Sequence, residues 1–239
     1  MNTTFPQLLL KHAAERPAAP ALREKEYGIW QAHNWAHLAT QVEQVAAGLH
    51  LAGLRRGEHM VLIGSNRPRL YMAMLAAQAL GAIPVPLYQD AVAAECVFPM
   101  NNAEVRFAMV EDQEQVDKML EIRAQCPALS NIYYDDPRGL RSYSEPGLDS
   151  YEALLAAGSD FVRQQPEWFR AEVAKVQPAD VAAMFFTSGT TGNPKGVVHT
   201  HSTLIDRASA GAEFDHLTNA EEVLAYLPPA WIGQNIFSY

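Results

Sequence analysis

Cysteine is scarce in this chain: Cys96 and Cys126 are the two among 239 residues, with no CxxC spacing. That argues against a disulfide framework or a thiolate metal site. It fits a reduced, cytoplasmic protein in which both thiols serve packing. Basic residues are also in the minority, 18 against 27 acidic for a formal charge of −9. They form no long run, which speaks against a general nucleic-acid-binding surface. An anionic ligand would have to be held by local groups. A basic leader ahead of an apolar run is missing, because Lys11, His12, Glu15 and Arg16 interrupt the opening stretch, so no secretory signal is expected. A membrane-spanning run is missing too. Residues 70–89 carry no charge, but they are Ala-rich and broken by Gln78, Gly81, Pro84 and Pro86. A spanning helix needs about 20 predominantly apolar residues. A buried helix followed by a strand is the expectation there, and peripheral membrane contact stays open.

What is present is an ordinary globular composition, 49% hydrophobic and 19% charged, with helix and strand signals in alternation. The fold class expected is α/β, a mainly parallel sheet flanked by helices. Phe5 to Glu15 reads as a helix ended by Arg16-Pro17, and Tyr27 to His33 as a hairpin strand. Asn34 is placed to cap a helix running to about Leu51 and closed by Gly53. A βαβ unit follows: strand His59 to Ile63, helix Arg69 to Leu80, strand Ile83 to Leu87. A second set comprises a helix near Ala91 to Met100, a strand Val105 to Val110, a helix Gln113 to Gln125 and a strand Ser130 to Tyr134. The loops after these strands gather on one sheet edge, where α/β ligands bind. Asp135 to Leu148 is rich in turn formers and reads as a mobile loop. Short helices are expected near Ser150 to Ala157 and Pro166 to Val176. A strand from Asp180 to Phe186 then leads into a glycine-rich loop, followed by Val197-Val198 and a helix from about Ser202. The apolar, aromatic ending Ala230 to Tyr239 suggests a chain cut within a domain. Two parts are expected, residues 1–176 as a first α/β subdomain and 177–239 as the start of a second.

The loop is TSGTTGNPKG, Thr187 to Gly196. A polyphosphate needs several donors around its anionic oxygens, and backbone N–H groups approach closely where side chains are small or absent. Gly189, Gly192 and Gly196 are read as giving that access. Thr187, Ser188, Thr190 and Thr191 add hydroxyl donors, Lys195 adds a compact positive charge, and Pro194 stiffens the approach to it. The alternative is a Ser/Thr/Gly-rich surface turn. The Walker pattern GxxxxGK[ST] is not met, since Gly192 and Lys195 are separated by Asn193-Pro194, so a P-loop kinase or GTPase is disfavoured.

TSGTTGNPKG resembles the signature of the adenylate-forming superfamily. Residues 35–68, 74–88 and 110–123 are similar to the first subdomain of its long-chain acyl-CoA synthetase branch. The resemblance implies an AMP-forming fatty acid–CoA ligase: a carboxylate substrate, ATP and Mg²⁺ give acyl-AMP and pyrophosphate, and coenzyme A takes the acyl group. It implies that Thr187, Ser188, Gly189, Thr190, Thr191, Gly192 and Lys195 hold the β- and γ-phosphates, with Lys195 stabilising the leaving pyrophosphate. Thr190 or Thr191 would assist the metal, and its acidic ligand would lie outside this chain. Alone, the chain is expected to be inactive. The other readings are a non-catalytic nucleotide-binding module and an adenylation domain loading a carrier protein.

Leu227-Pro228-Pro229-Ala230-Trp231 is similar to a family segment reading Leu-Pro-Leu-Ala-His, so Trp231 stands where that histidine would be and no histidine role transfers. In the resemblance this segment borders the acyl site. Trp231 is either a wall of an acyl tunnel or a core tryptophan. His199 and His201 form an H-x-H pair without a third ligand at a suitable spacing, and Thr200-His201 reads as structural.

Overall fold

The structure is a computed structural model describing residues 2–187 and 192–237. Its centre is a five-stranded, fully parallel sheet in the order β4-β3-β5-β6-β7. The strands are β3 (His59–Ile63), β4 (Ile83–Leu87), β5 (Phe107–Val110), β6 (Asn131–Tyr134) and β7 (Leu148–Ser150). Alternation along each strand divides the core in two. Met60, Leu62, Phe107 and Met109 face one side with helices α1 (Phe5–Glu15), α2 (Trp35–Ala52), α3 (Pro68–Ala79) and α6 (Tyr151–Gln164). Val61, Ile63, Ala108 and Val110 face the other with α4 (Ala93–Asn102) and α5 (Gln113–Ile122). Helices therefore cover both faces, as a parallel sheet requires.

Local signals explain most boundaries. The Asn34 carboxamide accepts the His37 N–H at 2.8 Å to start α2, and Gly53 ends it at φ 102°. Ser150 caps α6 by accepting from the Ala153 N–H at 3.1 Å. Helices α2 and α6 approach closely enough that Cβ atoms on Gly48 and Gly158 would strike the backbone oxygens of Leu154 and Gln44. Both Cys96 and Cys126 are buried and free.

Several expectations change. Two strands, not one, precede α2: β1 (Pro20–Glu26) and β2 (Ile29–Asn34) form an antiparallel hairpin. Tyr27 and Gly28, at φ 47° and 80°, make its turn, so Tyr27 lies outside the strand; two consecutive positive φ values are what a tight hairpin needs. The segment after β6 is anchored rather than free of contacts. Leu140 is buried, and the Tyr143 hydroxyl donates to Asp117 at 2.6 Å and accepts from Gln113 at 3.0 Å. It delivers the chain to β7, a three-residue strand too short to register as a pattern. α6 runs seven residues past its expected end at Ala157, because Phe161 packs on Trp168 with ring centroids 5.1 Å apart.

β8 (Val181–Thr187) and β9 (Lys195–Thr200) form a separate antiparallel pair. β8 runs alongside β4 without joining its ladder. The reason is in β4 itself, IPVPL: Ile83 donates to Glu58 on the β3 side at 2.8 Å, so Pro84 and Pro86 turn their donor-less nitrogens to the β8 side. Gln78 of α3 instead donates to the Ala182 carbonyl at 2.9 Å, in a buried site. Ala182, Ala183 and Phe185 of β8 pack in the same core cluster as α1 to α3, with Leu204 and Ile205 of α8 (His201–Phe214). A short α7 (Trp168–Lys175) precedes β8, and α9 (Ile232–Phe237) is the last described element.

Candidate functional site

The glycine-rich loop joins β8 to β9. Ser188, Gly189, Thr190 and Thr191 lie outside the described residues; Thr187, Gly192 and Lys195 lie within them. Thr187 and Lys195 face one another as the last rung of the hairpin. Directly opposed residues of an antiparallel pair present their side chains on one face, so the hydroxyl and the ammonium flank the foot of the loop together, both exposed. The Thr187 hydroxyl is 3.5 Å from the Lys195 carbonyl. Gly192 takes φ 134°, a conformation that side chains disfavour, with nothing among the described residues within 4 Å of where a Cβ would sit.

Gly196 has a packing side as well. It sits exposed in β9 opposite Phe186, and a Cβ there would run into the Met184 methyl and the Phe186 ring. Its lack of a side chain therefore serves packing beneath the loop. Composition alone could not separate these uses.

The two histidines part company. His199 lies in β9 with its ring 5.9 Å from Phe185. His201 opens α8, is 1% exposed, and its Nδ1 accepts the Phe5 N–H at 3.3 Å. Burial holds the His201 imidazole down to about 4, against a weaker opposing pull from Asp180. It is the structural residue expected of Thr200-His201, tying α8 to the start of α1. Among the described residues no group of three His, Cys, Asp or Glu side chains could hold a metal ion, and no helix is long and apolar enough to cross a membrane.

Trp231 is 50% exposed, in the turn before α9. It is not a core tryptophan within the described residues. The chain reversal in strand order falls between β3 and β5, where α/β ligands commonly bind. Here that crevice is filled. The Ser65 N–H and hydroxyl both donate to Glu111, at 2.6 and 2.9 Å, and Arg69 bridges Asp135 and Glu152 at 2.9 and 2.5 Å. The space left is about 10 Å³, room for at most one water.

Four polar residues escaped the sequence reading: Asn66, Tyr71, Gln234 and Asn235. The signal was available for Tyr71, which lies in α3, a helix buried all round. An uncharged polar group in such a helix must find a partner.

A model described as AMP-binding enzyme matches residues 9–238. The long-chain-fatty-acid–CoA ligase ACSBG2 of Xenopus laevis is 28% identical over 219 residues, covering 89% of this chain and 29% of that protein. The long-chain-fatty-acid–CoA ligase FadD15 of Mycobacterium tuberculosis is 26% identical, at 94% and 36%, and 4-coumarate–CoA ligase 4 of Arabidopsis thaliana is 27% identical, at 81% and 33%. Among solved structures, acetoacetyl-CoA synthetase from Streptomyces lividans superposes with a TM-score of 0.81 at 22% identity, covering 98% of this chain and 36% of that one. The parallel sheet with its flanking helices is thus that of the N-terminal domain of adenylate-forming enzymes. The chain belongs to the AMP-binding enzyme family. It spans about a third of the length of these curated relatives.

Proposed function

We propose that the protein carrying this chain is an AMP-forming fatty acid–CoA ligase acting on long-chain substrates in the cytoplasm. A carboxylate oxygen forms a bond to the α-phosphorus of ATP as the bond to pyrophosphate breaks. The sulfur of coenzyme A then bonds to the acyl carbon and AMP leaves. The observation that carries the reading is the Thr187–Lys195 rung, which sets a hydroxyl and a cation on one exposed face at the foot of the loop, in a chain of the AMP-binding enzyme family. Thr187, Gly192 and Lys195, with Ser188, Gly189, Thr190 and Thr191, hold the β- and γ-phosphates. Lys195 stabilises charge on the departing pyrophosphate. Thr190 or Thr191 would help to hold Mg²⁺, which would supply positive charge to offset that of the phosphates. Trp231 presents its exposed ring to the acyl chain. Support for a fatty acid comes from the two relatives so named, at 28% and 26% identity. Residues 1–176 form one subdomain and 177–239 open the next.

The test is acid-dependent release of AMP and pyrophosphate by the complete gene product, with a panel of fatty acids. Lys195→Ala should lower the rate by about a hundredfold, the usual cost of removing a group that stabilises developing charge. Absence of any carboxylate-dependent pyrophosphate exchange would overturn the reading. Formation of acyl-AMP without transfer to coenzyme A would move the acceptor to a carrier protein.

A further inference from the structure

The turn Leu227–Trp231 is held by a closed ring of hydrogen bonds. The Leu227 N–H donates to Gln234 Oε1 at 3.1 Å, and Gln234 Nε2 donates to the Tyr71 hydroxyl at 3.0 Å. Tyr71 donates to Asn66 Oδ1 at 2.7 Å, and Asn66 Nδ2 returns to the Leu227 carbonyl at 2.9 Å. Both backbone groups of one residue are thereby tied to the loop after β3 and to α3, across more than 150 positions of sequence. Tyr71 and Gln234 are buried and Asn66 is half-buried. Asn235 Nδ2 adds bonds to the Pro229 and Trp231 carbonyls, both at 2.9 Å. Within the turn the Trp231 N–H donates to the Pro228 carbonyl at 2.9 Å and its carbonyl accepts from the Gln234 N–H at 3.1 Å, while its ring is half exposed.

We infer that Asn66, Tyr71 and Gln234 are positioning residues: their hydrogen-bond ring fixes the Leu227–Trp231 turn and so sets where the Trp231 ring meets the carboxylate substrate. The second half of this statement rests on the proposed ligase function; the first half does not. A ring closed in one direction has no slack. Reversing or removing any member leaves a buried donor or acceptor unpaired, and the cost reaches the members it does not touch.

The experiment uses the complete gene product and two variants, Tyr71→Phe and Asn66→Ala. The second removes a half-buried side chain and keeps the test available if the first fails to fold. Amide hydrogen exchange is the first readout. Tyr71 does not touch the Leu227 N–H, so a purely local role leaves that amide alone. The ring predicts exchange at Leu227 faster by about tenfold in either variant, the effect of losing one hydrogen bond, with β3 amides unchanged. Unchanged exchange at Leu227 would overturn the ring. The second readout is steady-state kinetics: the KM for the fatty acid should rise severalfold while the KM for ATP holds. Faster exchange with an unmoved fatty-acid KM would overturn the positioning role. If no acid supports AMP formation, the function has failed and the exchange result still decides the ring.

Discussion

Acid should unfold this protein in part through one histidine. His201 is buried, holds the Phe5 N–H on Nδ1, and has its imidazole depressed to about 4 from an ordinary 6.5. Between those values the unfolded chain binds a proton that the native chain refuses. Stability therefore rises with pH through the window from 4 to 6.5; for this group it is flat above and below. At 1.36 kcal/mol per pH unit, the gap amounts to about 3 kcal/mol lost on acidification. That is a large fraction of the roughly 5–15 kcal/mol that holds a typical domain together. The perturbation that isolates it is His201→Asn, whose side-chain oxygen can replace Nδ1 as acceptor but does not titrate. Urea unfolding of both proteins from pH 4.5 to 7.5 should show the difference between them narrowing as pH falls. Burial also lowers His12, His33, His50 and His59, but these are common to both proteins and cancel. Parallel stability curves, or a His201 ring resonance titrating near 6.5 in the native protein, would refute the reasoning.

Two further outcomes are expected. Gly158→Ala sets a methyl against the Gln44 backbone oxygen, which cannot swing away. It should cost about 1–3 kcal/mol and several degrees of melting temperature, whereas Gly211→Ala in α8, with open space around it, should be neutral or slightly stabilising. Burial pushes the Cys96 thiol up to about 11 and raises Cys126 as well. Neither should react with iodoacetamide at pH 8 until denaturant is added, and rapid native labelling would contradict the burial.

The parallel sheet was legible in the sequence because its strands are short apolar runs separated by long helices, and the caps Asn34, Gly53 and Ser150 sit where side-chain chemistry demands them. β1 was not, since Pro20–Glu26 is mostly charged and belongs to a hairpin lying off the main sheet. β7 escaped because a crossover loop, not a helix, leads to it. For the site, the loop stood out by composition, but composition could not show that Gly196 also packs against Met184 and Phe186. The ring around Leu227 was beyond reach, because only Tyr71 carries a signal, as a polar group in an apolar helix, and its partners Asn66 and Gln234 meet it only through the fold.

The two prolines of β4 bear on how the chain is made. A ribosome releases the parallel sheet before it releases β8, and an unfinished sheet with a bare outer strand invites strand addition by a neighbouring chain. Pro84 and Pro86 offer that neighbour no N–H groups on the open side. The loop-bearing hairpin can therefore arrive late and dock by packing and the Gln78 bond to Ala182, on an edge that lacks backbone donors for an intruding strand.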